Sequence, residues 1–159
     1  MKIDQGADII TTTAVNGCFT VGLLLKYLYS LCVYDYDKDV SYHPFGHNLE
    51  ELYSELGEIN KELADELENR FRKAKYGSNS SLDSFLKSIE KGFEDWRYSY
   101  TKGKLGFNLN TLSDAINVLF NKSDEKYLTV CESIKKSDNF SDQILSYTKL
   151  DDIRPNTDL

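Results

Sequence analysis

Along the first third of this chain, apolar residues recur at alternating steps of three and four: Ala7, Ile10, Ala14, Gly17, Val21, Leu24, Leu28 and Leu31. That spacing keeps one face of a 3.6-residue helix toward a core. Cys18, Leu25 and Cys32 widen the stripe, while Phe19, Leu23 and Tyr27 cover much of the opposite side. A helix that is apolar nearly all round is buried on several sides, so this one is expected at the centre of a bundle.

The pattern then breaks. Asp35 to Phe45 alternates Asp with Tyr and meets Pro44 and Gly46, the signature of a loop. Asn48 followed by Glu51 resembles a capping box. It opens a helix through Leu49, Leu52, Leu56, Ile59, Leu63, Leu67 and Phe71, with Gly57 the point of a bend or a division into two. Lys73 and Lys75 suit the negative end of that helix, and Gly77 can stop it. Ser80 with Asp83 opens the next, through Leu82, Phe85, Leu86, Ile89, Phe93 and Trp96, ending near the Lys102–Gly106 turn. A last long helix starts around Asn110 or Thr111 and buries Leu112, Ile116, Leu119 and Phe120. Asn121–Asp124 is a potential break before Tyr127, Cys131 and Ile134.

No stretch alternates with a period of two, so no sheet is predicted. Short connections between amphipathic helices favour antiparallel neighbours. The expected fold is all-α, an up-down bundle of four to five helices over residues 1–136. Residues 137–159 form a C-terminal extension, partly helical and then frayed beyond Pro155.

Composition agrees with a single globular domain: 159 residues, 40% hydrophobic and 28% charged, with only two prolines. Gly17 to Tyr34 is about as long as a bilayer crossing, but Lys26 at its centre costs about 2.5–3.5 kcal/mol in lipid. A core helix is the better reading, and with no signal-peptide pattern before it the protein is expected in the cytoplasm, off the membrane. Cys18, Cys32 and Cys131 are an odd number without CxxC spacing, which fits buried reduced thiols rather than zinc. His43 and His47 stand four apart, but Pro44 and Gly46 between them argue against one helix face holding a metal. No metal or cofactor is expected.

Three blocks, in order, carry a resemblance: Phe19-Thr-Val-Gly-Leu-Leu-Leu-Lys26, Gly46-His47-Asn-Leu49-Glu-Glu-Leu52-Tyr53, and Trp96-Arg97-Tyr98. Together they look like prokaryotic HEPN proteins, in which a Phe-x-x-Glu-Leu-x-x-Lys helix precedes a Gly-His-x-Leu-x-x-Leu-aromatic helix and a later Arg-Tyr. The resemblance covers roughly residues 10 to 120. It implies a HEPN-like four- or five-helix bundle, frequent homodimers, and roles in phage defence, toxin–antitoxin pairs or RNA handling. Active HEPN proteins cut RNA without metal through Arg-x(4–6)-His, an imidazole moving protons and a guanidinium holding phosphate. Here both histidines precede every arginine (Arg70, Arg72, Arg97 and Arg154), so that motif is absent. Gly22 also stands where the related block has glutamate. Both departures point to a non-catalytic member.

The residues leave two candidate sites. Lys26, His47, Arg97 and Tyr98 could converge at one end of a bundle as a polar pocket for a phosphate, a nucleotide or an RNA end. The alternative is structural: His47 fixes a helix start and Arg97 pairs with an acid such as Asp95. Charge is also uneven. Asp35–Asn69 holds eleven acids against two lysines, net −9, whereas Arg70–Lys104 holds nine basic residues against four acids, net +5. Basic residues beside aromatics suit single-stranded RNA, which makes Arg70, Arg72, Lys73, Lys75, Lys102 and Lys104 candidate contacts. The overall charge of −7 denies any general affinity for polyanions. The acidic set from Glu50 to Glu68 could meet a basic protein partner, although such a set is more often a solvated face.

The reading is therefore a non-catalytic HEPN-like binding or regulatory module, RNA- or nucleotide-binding, in a bacterial defence or toxin–antitoxin setting. Two alternatives stand beside it: a divergent metal-independent ribonuclease using His47 and Arg97, and a bundle that binds only protein.

Overall fold

A computed structural model describes residues 5–36, 48–77, 80–98 and 108–136, with side chains for 12–34, 48–77, 80–90 and 108–136. Among them are five α-helices and no strand: α1 (Gln5–Tyr36), α2 (Leu49–Ile59), α3 (Lys61–Lys73), α4 (Leu82–Tyr98) and α5 (Leu109–Lys136). The all-α class is as expected. The 137–159 extension lies outside the described residues.

Local chemistry sets the helix ends. The Asn48 side chain accepts from the Glu51 amide at 2.9 Å, as the cap-like pair predicted. The long second stretch does divide, but at Asn60 rather than Gly57. Asn60 closes α2 through its own N–H to the Leu56 carbonyl, and its side chain accepts from Leu63 N at 3.0 Å to open α3. An asparagine can do both because its short amide replaces a missing helix bond on either side of a corner. The Tyr53 hydroxyl spans this corner, donating to the Ala64 carbonyl at 3.0 Å. Burial pushes its phenol up, with Glu68 adding to the effect. α4 is capped one residue later than predicted: Ser81 Oγ, not Ser80, accepts from Ser84 N. α5 begins at Asn108, which accepts from Asn110 N, and runs without interruption past Asn121–Asp124. There the buried Ser123 hydroxyl donates to the Leu119 carbonyl, so it brings no unpaired group into the core.

The core gathers Val21, Leu25 and Leu28 of α1, Leu56 of α2, Leu67 and Phe71 of α3, Leu86 and Ile89 of α4 and Leu119 of α5, all at 1% exposure or less. Phe71 and Phe85 pack their rings 5.6 Å apart where α3 meets α4. α1 and α5 lie side by side in the same direction. Gly17 faces Leu112 and Ile116, and farther along both helices Tyr27 lies near Asp124 and Cys131. α3 runs opposite to α5: the Tyr76 backbone meets Thr111 and Asp114, while Glu66 reaches Lys122. α4 bridges from Glu68 of α3, which accepts from Leu82 N, to Glu50 of α2, which pairs with Lys87.

Gly17 is where α1 and α5 come closest. A Cβ there would stand 2.5 Å from Leu112 Cδ2, and Leu112 is itself buried. A Cβ at Gly57 would meet only Ala64 Cβ, at 3.6 Å. The two glycines therefore predict opposite outcomes in urea denaturation. Gly17→Val should destabilise by about 1–3 kcal/mol through overpacking. Gly57→Ala should stabilise by about 0.5–1 kcal/mol through helix entropy. Equal effects would show that Gly17 is not a packing constraint.

Candidate functional site

Of the predicted polar pocket only Lys26 has a described side chain, and it lines a groove of about 40 Å3 between α1, α2 and α4. Cys18, Phe19, Gly22, Leu23 and Lys26 line one side, Leu49 and Leu52 another, and Glu90 closes it from α4. The enclosed part of that volume holds a few waters. Gly22 lies where α1 meets α2: a Cβ there would stand 3.3 Å from Leu49 Cδ2, which would have to give slightly.

Its electrostatics are mixed. The α2 N-terminus, a natural anion site, is served by the Asn48 side chain and by Glu90, whose carboxylate accepts from Glu50 N at a long 3.4 Å. Among the described residues, Lys26 is the only cation lining the groove and forms no ion pair. His43 and His47 lie outside the described residues, as do the side chains of Arg97 and Tyr98. Leu49 follows His47 by two residues, and Arg97 follows Glu90 by seven, two turns along α4. Lys26 is thus the one member of the predicted pocket whose side chain is described.

The second candidate, the basic stretch, divides into two groups. Arg70 is held in a cluster joining α3 to α5: its guanidinium donates to both Glu125 oxygens at 2.7 and 2.8 Å and to Glu66 at 2.6 Å. Lys122 completes the cluster with Glu66 at 2.5 Å and Glu125 at 3.4 Å. Arg72 pairs with Glu68 at 2.6 Å, and the other oxygen of Glu68 caps α4. Lys73 and Lys75 are different: both are exposed, without a carboxylate partner among the described residues. The Lys75 ammonium lies 5.0 Å from the centroid of the exposed Tyr76 ring. The turn beneath them is pinned to α5, because Tyr76 N donates to Asp114 at 2.6 Å and Thr111 Oγ1 donates to the Tyr76 carbonyl at 3.1 Å. Lys102 and Lys104 lie outside the described residues.

Much of the acidic row is also internally neutralised. Glu50, Glu66 and Glu68 have cationic partners in Lys87, Arg70 with Lys122, and Arg72, and Asp65 pairs with Lys61. The pairs Glu66–Arg70 and Glu68–Arg72 were legible as i, i+4 spacings. Lys122, Glu125 and Asp114 were not, because they depend on how α5 lies against α3. No group of three or more metal-ligating side chains occurs among the described residues. Comparison with protein-family models, curated proteins and solved structures finds no match to this chain.

Two outcomes follow from this chemistry. The Lys122 ammonium, helped by Arg70, holds the Glu66 carboxyl below the usual carboxylate range, and Arg70 does the same for Glu125. A depressed folded value gives stability that is present above the ordinary carboxylate pKa of about 4.3 and is lost as pH falls through the folded value. The cluster is partly solvated, so its contribution is about 1 kcal/mol or less. Urea midpoints between neutral pH and about pH 3 should fall less steeply in Arg70→Gln than in wild type; identical slopes would contradict the clamp. Burial pushes the Cys18 thiol up to about 11, and Cys32 is buried as well, whereas Cys131 is partly exposed. A disulfide-exchange reagent at neutral pH should therefore label Cys131 first and the other two only on unfolding. Rapid labelling of Cys18 in the native state would contradict that burial.

Proposed function

We propose that this chain is a non-catalytic, HEPN-like helical module of the cytoplasm that binds single-stranded RNA at the corner formed by Lys73, Lys75 and Tyr76. One observation carries the reading. Lys73 and Lys75 stand free of carboxylates among the described residues, beside an exposed ring, on a turn fastened to α5. A base can stack on an exposed tyrosine while ammonium groups meet the flanking phosphates. The corner lies at the C-terminus of α3, whose partial negative charge keeps cations there. The five helices, without strands, among the described residues and the order of the Phe19–Lys26, Gly46–Tyr53 and Trp96–Tyr98 blocks support the HEPN-like assignment. The missing Arg-x(4–6)-His order supports binding without cleavage. A setting in bacterial defence or a toxin–antitoxin pair comes from the resemblance alone.

The net charge of −7 makes such binding local and sensitive to salt. Fluorescence anisotropy with a labelled, unstructured RNA at low salt should show saturable binding by the full chain. Its logarithmic salt slope should be about −0.7 per phosphate engaged. Tyr76→Ala should weaken binding about tenfold or more, the loss expected for one stacked base. Lys73→Glu/Lys75→Glu should abolish it, and Arg70→Ala should leave affinity unchanged while lowering stability. Binding that survives the double charge reversal would overturn the reading. Metal-independent cleavage of the RNA would do so as well, by restoring the ribonuclease alternative.

A further inference from the structure

The corner that carries Lys73, Lys75 and Tyr76 has one more charged group, and it comes from a different helix. Thr111 and Asp114 stand three residues apart on α5, which puts them on one face of that helix. Both reach the Tyr76 backbone: Thr111 Oγ1 donates to its carbonyl at 3.1 Å, and Asp114 Oδ2 accepts from its N–H at 2.6 Å. Thr111 is buried and its one hydroxyl proton is committed to that bond. Asp114 still has capacity. It is only half-buried, and its second oxygen, Oδ1, has no donor among the described residues. Neither Lys73 nor Lys75 forms an ion pair with it, so two ammonium groups and a carboxylate share this turn without neutralising one another. A carboxylate only accepts hydrogen bonds, and it repels phosphate. An asparagine would pin the Tyr76 amide as well without adding a negative charge. The charge therefore calls for a partner that donates.

We infer that Asp114 reads the base stacked on Tyr76 and selects guanine. The inference rests on the RNA reading above and adds a base preference to it. Unpaired bases are read on their exposed pairing edges, and those edges differ in what they show a carboxylate. Guanine presents two adjacent donors, N1–H and the 2-amino group, which match the two oxygens of one carboxylate. Adenine and cytosine each present an amino group beside a ring nitrogen that accepts, so one oxygen gains a bond and the other meets a lone pair. Uracil presents a single N–H between two carbonyls. Oδ2 keeps its bond to the Tyr76 N–H while it accepts from the base, because a carboxylate oxygen has two lone pairs. The contacts from Thr111 and Asp114 hold α5 against the residue whose ring carries the base, so the reading group is positioned before RNA arrives. The Lys75 ammonium, 5.0 Å from the ring centroid, sits on a long flexible stem that can swing it onto a flanking phosphate.

Fluorescence anisotropy of the full chain with labelled uridine heptamers, identical except for the central base, tests the inference. The RNA with central guanosine should bind about tenfold more tightly than those with adenosine, cytidine or uridine, the discrimination of one bidentate pair. Central inosine lacks only the 2-amino group and should lose most of that advantage. Asp114→Asn keeps an oxygen for the Tyr76 N–H but turns a donor toward the base. It should abolish the guanine preference and bind the all-uridine RNA more tightly than wild type does, because a negative charge is gone. Equal affinity of wild type for all four RNAs would overturn the inference and leave the RNA corner standing, whereas binding to none of them would overturn both. Equal binding of inosine and guanosine would overturn the two-oxygen contact. So would an Asp114→Asn that weakens all four RNAs alike, the mark of a purely structural role. The inosine comparison uses the wild-type chain, so it decides the matter even if Asp114→Asn does not fold.

Discussion

Close approach of α1 and α5 at Gly17 is the constraint on which the rest of the molecule depends. These are the two longest helices, and they come from opposite ends of the described chain. With no side chain at Gly17, Leu112 fills the gap, and Ala14, Val21 and Leu28 fall into the same buried seam. The shorter helices then close the remaining side. α2 and α3 fold about Asn60, and α4 ties the far end of α3 to the start of α2. Loop-closure entropy of the long intervening chain must be offset by this seam, because it joins the residues farthest apart in sequence. A fully buried leucine is worth about 1.5–3 kcal/mol, and an exposed ion pair about 0–1. The seam and the core around it therefore dominate the surface charges in stability.

Those charges matter for a different reason. The C-terminal half of α3 and the turn after it hold four cations, and two of them are neutralised within the fold, Arg70 by Glu66 and Glu125 and Arg72 by Glu68. The clamp fixes α3 against α5 and leaves Lys73 and Lys75 as the cations that project to solvent beside Tyr76. Position along one stretch of chain thus separates residues that hold the fold from residues available to a ligand. The groove around Lys26 is the opposite case: its floor is apolar, and Glu90 already serves the α2 N-terminus there.

Most of the helix content was legible in the sequence because burial imposes a 3.6-residue period. The α1 stripe, the Asn48 cap and the uninterrupted burial of Leu63, Leu67 and Phe71 all followed from it. The division at Asn60 was missed in favour of Gly57, since the apolar period passes through Ile59 and Leu63 unbroken. Only the capping chemistry of one asparagine marks the corner. The outer side of α1 was misjudged for a related reason. Phe19, Leu23 and Tyr27 suggested burial all round, yet they remain exposed, because a period alone does not say which apolar residues the core covers. The α3–α5 ion cluster was half readable, as Glu66 to Arg70. Its other half lies 55 residues away and depends on register between helices. Of the polar pocket, only Lys26 falls among the described side chains.

The fold and the proposed RNA corner depend on the direction and register of α1 against α5. Isotope-edited NMR of the full chain, with labelled leucine methyls, reads them directly. The predicted result is a set of nuclear Overhauser contacts from the Leu112 methyls to the Gly17 α-protons, together with contacts between Tyr27 and residues near Cys131. Contacts from Leu112 to the Leu28–Cys32 end of α1 would mean that the two helices run in opposite directions, and would contradict this architecture.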